Sequence, residues 1–390
     1  MSRKSKLYGI LLSAAAAALT GAGSLCVGIK IAQAGMEPPI NIVAAETAMP
    51  TGHAEYKEVS VFVPKDLPAV QDKQPQDSGS RETSAQGQAK AEPAGSSSEG
   101  FSANDPSKED IAAYEKEHEG EERYPVHEFN VTEGNISYGA VQVKNTSSTE
   151  IDIREELDSA LGFSLEKTDK PQVLIYHTHT SESYLPYDTG YFFESFFPRS
   201  TERSENVCAV GEEISKQLNS AGIVTIHDTT LHDYPSYSGA YYRSCDTVEE
   251  YLEKYPSIKV VLDIHRDGIG TDTEKYKPVF TADGRQGAQA MILAGYNYDG
   301  SEEFSDWEYN LRFALRLQKT AGELYPGMLR PLNFSDFMYN MNVNTGSLLI
   351  EVGGEANTIN EARYTGYLLG KVIAETLKKE MNSGVSDKKG

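Results

Sequence analysis

The chain has 390 residues and a formal net charge of −22, with 58 acidic against 36 basic residues. Binding to nucleic acid or to anionic lipid through electrostatics needs concentrated Lys and Arg, so this charge excludes a role based on such a footprint. Three cysteines without a CxxC pair exclude a disulfide framework and a cysteine zinc site, although pairing of Cys208 with Cys245 stays open.

The amino terminus has the pattern of a membrane anchor. Residues 1–6 carry three basic side chains, and an uncharged, mostly apolar run covers residues 7–29. Such a run can span a bilayer, and its cationic flank favours a cytoplasmic position for residues 1–6. We therefore expect a single-pass cell-membrane protein whose remaining residues are extracytoplasmic. Cleavage of the run as a secretory signal after Ala34 is the alternative.

A polar segment and a short lead-in follow the anchor. Residues 30–123 are predicted to be a flexible extracytoplasmic linker, because much of this segment is rich in Ser, Gln, Gly, Pro and charged residues. Residues 124–170 are predicted to be a lead-in segment, with an alternating strand at 138–144 and a short helix ending at Leu161. Residues 382–390 are predicted to be a disordered tail.

Residues 171–381 have the pattern of an α/β domain with a mostly parallel sheet covered by helices on both faces. Apolar strand-like runs alternate with amphipathic helical runs. The predicted strands are 173–176, 223–226, 260–264, 290–294 and 347–352. The predicted helices are 204–219 with Ser204 as N-cap, 246–255, 307–325, and a last helix that begins at the capping box Thr358-Ile-Asn-Glu361.

Several of these strands end in metal-ligand or acid/base residues, and the carboxyl ends of parallel strands share one edge. His179 and His265 follow two of them, and Glu205 lies in the first predicted turn of a helix that starts at the same edge. These three side chains would give Zn²⁺ three protein ligands and leave a fourth position for water. Glu351 ends the last strand, and we predict that it accepts the proton of that water.

Each assignment has an alternative. His177 competes with His179, and Glu202 competes with Glu205. Hydroxyl groups of Tyr184 and Ser181 could satisfy the histidines, and His265, which lies between Asp263 and Arg266, could be a salt-bridged surface group.

These residues resemble the stage II sporulation protein P family of cell-wall hydrolases from spore-forming bacteria. The resemblance covers roughly half of the chain. It is carried by Ile175-Tyr-His-Thr-His-Thr-Ser-Glu-Ser-Tyr184, by residues 234–244 with Ser-Gly-Ala-Tyr-Tyr-Arg-Ser, by Asp263-Ile-His-Arg-Asp267 and by Leu349-Ile-Glu-Val-Gly-Gly354. The domain is more distantly similar to zinc-dependent N-acetylmuramoyl-L-alanine amidases, whose ligand pattern falls on His179, Glu205 and His265, with Glu351 as the catalytic residue.

The resemblance implies a membrane-anchored peptidoglycan hydrolase that cuts the muramic acid to L-alanine amide during forespore engulfment. It also implies possible endopeptidase activity within stem peptides, and a complex with stage II sporulation proteins D and M. Two alternatives stand beside it: a zinc peptidase that acts only on stem peptides, and a non-catalytic wall-binding scaffold. The Tyr- and Phe-rich segment 184–197 is expected to form a wall of the substrate groove, or else to fill a local core.

Overall fold

The computed structural model describes residue 101, residues 105–297 and residues 304–386. Its helices are α1 (Lys108–Glu117), α2 (Ile153–Asp158), α3 (Val207–Ser220), α4 (Ala240–Lys254), α5 (Trp307–Leu324) and α6 (Ile359–Ser386). Its strands are β1 (Arg123–Phe129), β2 (Ile136–Tyr138), β3 (Val141–Asn145), β4 (Val173–Tyr176), β5 (Tyr191–Phe193), β6 (Thr225–His227), β7 (Val260–Asp267), β8 (Lys275–Ala282), β9 (Arg285–Ala288), β10 (Ala290–Gly295), β11 (Leu332–Ser335) and β12 (Ser347–Gly354).

The main sheet has eight strands in the order β2-β3-β11-β10-β12-β7-β4-β6. The strands β12, β7, β4 and β6 run parallel to one another, as the sequence predicts. The sheet as a whole is mixed, because β10 pairs antiparallel with β12 and β2 pairs antiparallel with β3. The prediction of a mostly parallel sheet is therefore wrong, since the apolar run of β10 carries no sign of strand direction.

Helices cover both faces of this sheet. Alternate residues of a strand point to opposite faces. Ile175 on β4 packs in the large core that includes residues of α3, α5 and α6, whereas Leu174 packs in a smaller core with Val248 of α4. All four residues of β4 are buried, so hydrophobic packing fixes this strand in the centre of the domain.

A second, four-stranded sheet lies in the order β5-β1-β8-β9. Both sheets connect the segment predicted as a lead-in with the main domain. In the second sheet β1 pairs with β8, and in the main sheet β3 pairs with β11. Helix α1 lies within the range predicted as a linker. It is placed by aromatic contacts, with the ring of Tyr114 5.3 Å from that of Phe193.

Helix starts follow local hydrogen bonds. The predicted capping box of α6 is present, because Thr358 N–H donates to Glu361 and Glu361 N–H donates to the Thr358 hydroxyl. Helix α3 begins later than predicted, since Asn206 and not Ser204 caps it by accepting from Cys208 N–H at 2.9 Å.

In the described part of the chain, every helix is too short or too polar to cross a membrane. The predicted anchor at residues 7–29 lies outside the described residues. Neither of the two described cysteines, Cys208 and Cys245, belongs to a disulfide.

Candidate metal centre

Two histidines and one carboxylate come together where β4 and β7 approach their carboxyl ends. Each of His179, Glu182 and His265 offers a ligand atom within 4.8 Å of those of the other two. Glu182 reaches the group through a turn after β4, in which Glu182 N–H donates to the His179 carbonyl at 3.0 Å. The three residues are 9%, 6% and 3% exposed, so their polar atoms lie largely away from water.

The carboxylate of Glu182 lies between the two imidazole rings. Its Oε1 is 3.4 Å from Nδ1 of His179, and its Oε2 is 3.4 Å from Nδ1 of His265. Two ligands of a tetrahedral zinc ion, each about 2.1 Å from it, are about 3.4 Å apart. The donor types fit Zn²⁺ with one open coordination position, and each histidine lies at such a spacing from one oxygen of Glu182.

A buried carboxylate orients the ring of His265. Nε2 of His265 lies 2.9 Å from Oδ1 of Asp263, which is the distance of an ion pair. No hydrogen bond of good geometry reaches Nε2 from the described residues. Asp263 is held by Thr178, whose N–H and hydroxyl donate to it at 2.8 Å and 2.6 Å. A carboxylate facing the far nitrogen of a ligating imidazole fixes its tautomer and direction.

The protonation of these groups follows from their charges. Burial lowers the pKa of His265, but the charges and hydrogen bonds of Asp263 and Glu182 together hold the pKa well above its usual value. Burial raises the pKa of Glu182, but hydrogen bonds from His179 and His265 hold it well below its usual value. The group therefore favours a charged carboxylate beside positive charge.

Glu351 lies next to His265 on the neighbouring strand, since the two residues are paired in the register of β12 and β7. Its Oε2 is buried without a hydrogen-bond partner among the described residues. Burial, followed by the charge of Asp267, raises the pKa of Glu351 to about 8. A carboxyl group of this kind can both accept and donate a proton near neutral pH.

The end of β12 is irregular beside Glu351. The register with β7 shifts between Glu351 and Gly354. Gly353 has a φ of +69°, and a Cβ there would lie 2.7 Å from Cβ of Ala288, so only glycine fits. Asp267, at the end of β7, is paired with Arg330 at 2.9 Å.

His177 takes a different position from His179. Its Nδ1 donates to the Ile264 carbonyl at 2.8 Å, and its Nε2 lies 2.9 Å from Nε2 of His227. Burial, followed by the charge of His227, lowers the pKa of His177 to about 3. Both ring nitrogens of His177 are engaged in these contacts, so the structure brings His179 to the metal group instead.

Glu205 and Glu202 are not brought to the histidines. Both side chains are exposed, and Glu205 accepts a hydrogen bond from the Ser200 hydroxyl at 2.7 Å. Since α3 begins at Val207, Glu205 precedes the helix instead of lying in its first turn. Glu182 occupies the position beside the histidines that is predicted from the sequence for Glu205 or Glu202. The missed signal was the spacing His179-x-x-Glu182 in the turn after a buried strand.

Tyr184 and Arg266 support the loop that carries Glu182. The Tyr184 hydroxyl donates to the Val352 carbonyl at 3.0 Å. Arg266 donates through its backbone N–H to Oε2 of Glu182 and through its guanidinium to the Ser183 and Pro198 carbonyls. Both residues therefore position the metal group from outside it.

Aromatic side chains surround the group, but they are not those of segment 184–197. Tyr237 stacks on His179 with ring centroids 4.6 Å apart, and Tyr241 lies at 5.3 Å from the same ring. Tyr241 in turn stacks on Tyr339 at 5.6 Å. Part of segment 184–197 takes the local-core alternative, with Phe192 buried against Leu185 and Ala356, whereas Phe197 is 59% exposed, and the groove wall stays a prediction.

The fold and the site together define an α/β protein with a candidate metal centre at the carboxyl edge of its main sheet. The family model for stage II sporulation protein P matches residues 45–374. This chain belongs to the stage II sporulation protein P family.

A curated relative agrees with this assignment. The stage II sporulation protein P of Bacillus subtilis (strain 168) is 28% identical over 219 residues, which cover 53% of this chain and 51% of that protein. The chain thus spans about half the length of the curated relative that it matches.

Solved structures with weak similarity include two amidases. The CwlD amidase from Clostridioides difficile, in complex with the GerS lipoprotein, is 12% identical, with 54% of this chain and 99% of that chain covered and a TM-score of 0.35. The catalytic domain of CwlV, an N-acetylmuramoyl-L-alanine amidase from Bacillus (Paenibacillus) polymyxa var. colistinus, is 11% identical, with 54% and 98% covered and a TM-score of 0.33. At TM-scores this low, neither likeness supports an inference about this chain.

Proposed function

We propose that this chain is a zinc-dependent peptidoglycan hydrolase that cuts the amide bond between N-acetylmuramic acid and L-alanine. The observation that carries the proposal is the buried group His179, Glu182 and His265, with Glu351 beside it. Two histidines and one carboxylate are a common ligand set of zinc hydrolases. Membership of the stage II sporulation protein P family supports peptidoglycan as the substrate.

The residues divide the work of amide hydrolysis. When bound, Zn²⁺ lowers the pKa of a bound water to about 7 and polarises the scissile carbonyl. His179, Glu182 and His265 would hold the ion, and Asp263 orients the His265 ring. Glu351 takes a proton from the attacking water as the carbon–oxygen bond forms, and it returns the proton to the nitrogen as the carbon–nitrogen bond breaks.

The proposed cellular setting rests on the pattern of the amino-terminal sequence and on the family. Residues 7–29 anchor the chain in the cell membrane and place the folded domain outside, where peptidoglycan lies. Family membership supports a role in sporulation. We further propose that this role is forespore engulfment with stage II sporulation proteins D and M as partners, as the resemblance in sequence implies.

Digestion of purified sacculi tests this function. The full-length protein with Zn²⁺ is incubated with sacculi, with and without a chelator, and the released fragments are identified by mass spectrometry. We expect glycan strands free of stem peptides and intact stems that begin with L-alanine, and no release with the chelator. His265→Ala abolishes release, whereas Glu205→Gln serves as the matched control and keeps it.

Other products would redirect the assignment. Shortened stems that stay attached to glycan indicate a peptidase that acts within the stem peptides. Binding to sacculi without any release by the zinc-loaded protein contradicts the enzymatic proposal and favours a wall-binding scaffold.

A further inference from the structure

Most cationic side chains around the metal group are buried, and each is paired through at least one nitrogen. Arg266 and Arg330 are 6% and 2% exposed, and their guanidinium groups contact backbone carbonyls or Asp267. Lys275 is 6% exposed and forms an ion pair with Glu355. Arg199 differs from these three, because 29% of its side chain is exposed to solvent.

Arg199 lies one aromatic ring away from His179. Its guanidinium carbon is 4.7 Å from the centroid of the Tyr237 ring, and that ring stacks on His179 at 4.6 Å. Its Nη2 is 4.0 Å from Oε1 of Glu182. The backbones of Arg199 and Glu182 also form an isolated β-bridge, so the cation is fixed relative to the metal group.

One nitrogen of the guanidinium holds it in place. Nη1 donates to Asp233 at 2.8 Å and to the Ser181 hydroxyl at 3.3 Å. The Asp233 side chain is fully buried, and it also accepts from Ser181 N–H and Oγ–H, so this anchor is rigid. The remaining donors are held in one plane over Tyr237, and part of the side chain faces solvent.

We propose that Arg199 binds a carboxylate of the substrate next to the scissile amide. This inference rests on the proposed function and names the chemical group of the stem peptide that the site recognises. A guanidinium forms two parallel hydrogen bonds with a carboxylate, and a stacked, anchored guanidinium loses little freedom on binding. Arg199 is therefore a specificity-determining residue that selects stems whose second residue has a free carboxylate.

A purely structural role for Arg199 makes a different prediction. If Arg199 only joined its loop to Asp233 and Tyr237, its loss would impair hydrolysis of every substrate equally. If it binds a carboxylate, its loss impairs substrates that carry one much more than substrates that do not. Two synthetic muramoyl-peptides that differ only in a free or amidated carboxylate on the second stem residue separate these cases.

The experiment compares kcat/KM of the zinc-loaded full-length protein on the two substrates. We expect the wild type to prefer the free carboxylate by roughly tenfold or more, the range of charge-assisted hydrogen bonds. Arg199→Gln loses this preference, because its kcat/KM falls much more on the free-carboxylate substrate than on the amidated one, and Arg199→Lys retains part of the preference. The matched control is Arg285→Gln, because Arg285 is 28% exposed, ion-paired with Asp105 and stacked over Phe101, outside the metal group.

Several outcomes overturn the inference. If Arg199→Gln lowers kcat/KM equally on both substrates, Arg199 has a structural role. If the wild type hydrolyses both substrates at equal rates, the site does not recognise the carboxylate. The comparison of the two substrates with the wild-type protein remains a test even if a variant fails to fold. Hydrolysis of neither substrate by the zinc-loaded wild type overturns the proposed function itself, and this inference with it.

Discussion

Two pairs of histidines lie on either side of the end of β4, with nearly equal ring separations. The rings of His177 and His227 are 5.2 Å apart, and those of His179 and His265 are 5.1 Å apart. The first pair contacts a backbone carbonyl and, through His227, the half-exposed Glu212 at 3.5 Å. The second pair shares the buried carboxylate of Glu182, and His265 also faces Asp263.

The difference shows that buried carboxylates, not the histidines themselves, distinguish a candidate metal centre from a structural pair. Burial and the charge of His227 lower the pKa of His177 to about 3, although the charge of Asp263 acts in the opposite direction, so the ring stays neutral. With Asp263 beside it, His265 has a pKa well above its usual value. A site that favours a protonated imidazole also favours a metal cation in its place.

The largest expected effect concerns the carboxyl group beside the second pair. Glu351→Gln keeps the shape of the side chain but removes its ability to accept a proton. We expect kcat on peptidoglycan to fall by about 10²- to 10⁴-fold, the usual contribution of a general base. Bound zinc stays at the wild-type level. Loss of zinc together with activity would show that Glu351 is a ligand instead.

A smaller effect is expected at the first pair, which packs against Gly211 of α3. A Cβ at this position would lie 2.5 Å from Nε2 of His227 and 2.9 Å from Cε1 of His177. Gly211→Ala is expected to lower the free energy of unfolding by about 1–3 kcal/mol, the usual cost of overpacking. Chemical denaturation measures it, and zinc content stays unchanged.

Gly268→Ala is the matched control for this substitution, because a Cβ there meets no atom within 4 Å. Equal stability of the two variants would contradict a close-packed, structural role for His177 and His227.

Much of the fold follows from hydrophobic pattern. The four parallel strands β12, β7, β4 and β6 are each apolar runs ending at one edge, and the capping box sets the start of α6. Strand direction is not encoded in such runs, so the antiparallel placement of β10 was missed. The β3–β11 pairing was missed as well, because it joins residues almost 190 positions apart.

Site residues near strand ends could be predicted from the sequence, whereas site residues placed by a turn could not. Glu351 and His265 lie side by side because they are paired near the carboxyl ends of adjacent strands. Glu182 was missed because the turn after β4 replaces strand alternation, and periodicity gives no information about side-chain direction there. Tyr237 was missed because it lies in a loop whose position depends on tertiary contacts with Arg199 and His179.

The most direct test of the metal centre compares two single substitutions, Glu182→Gln and Glu205→Gln, by zinc content after equilibrium dialysis of the full-length protein. We predict one zinc ion per chain in the wild type and in Glu205→Gln, and nearly none in Glu182→Gln, while circular dichroism shows all three folded. Retention of zinc by Glu182→Gln together with its loss from Glu205→Gln would contradict the assignment of Glu182.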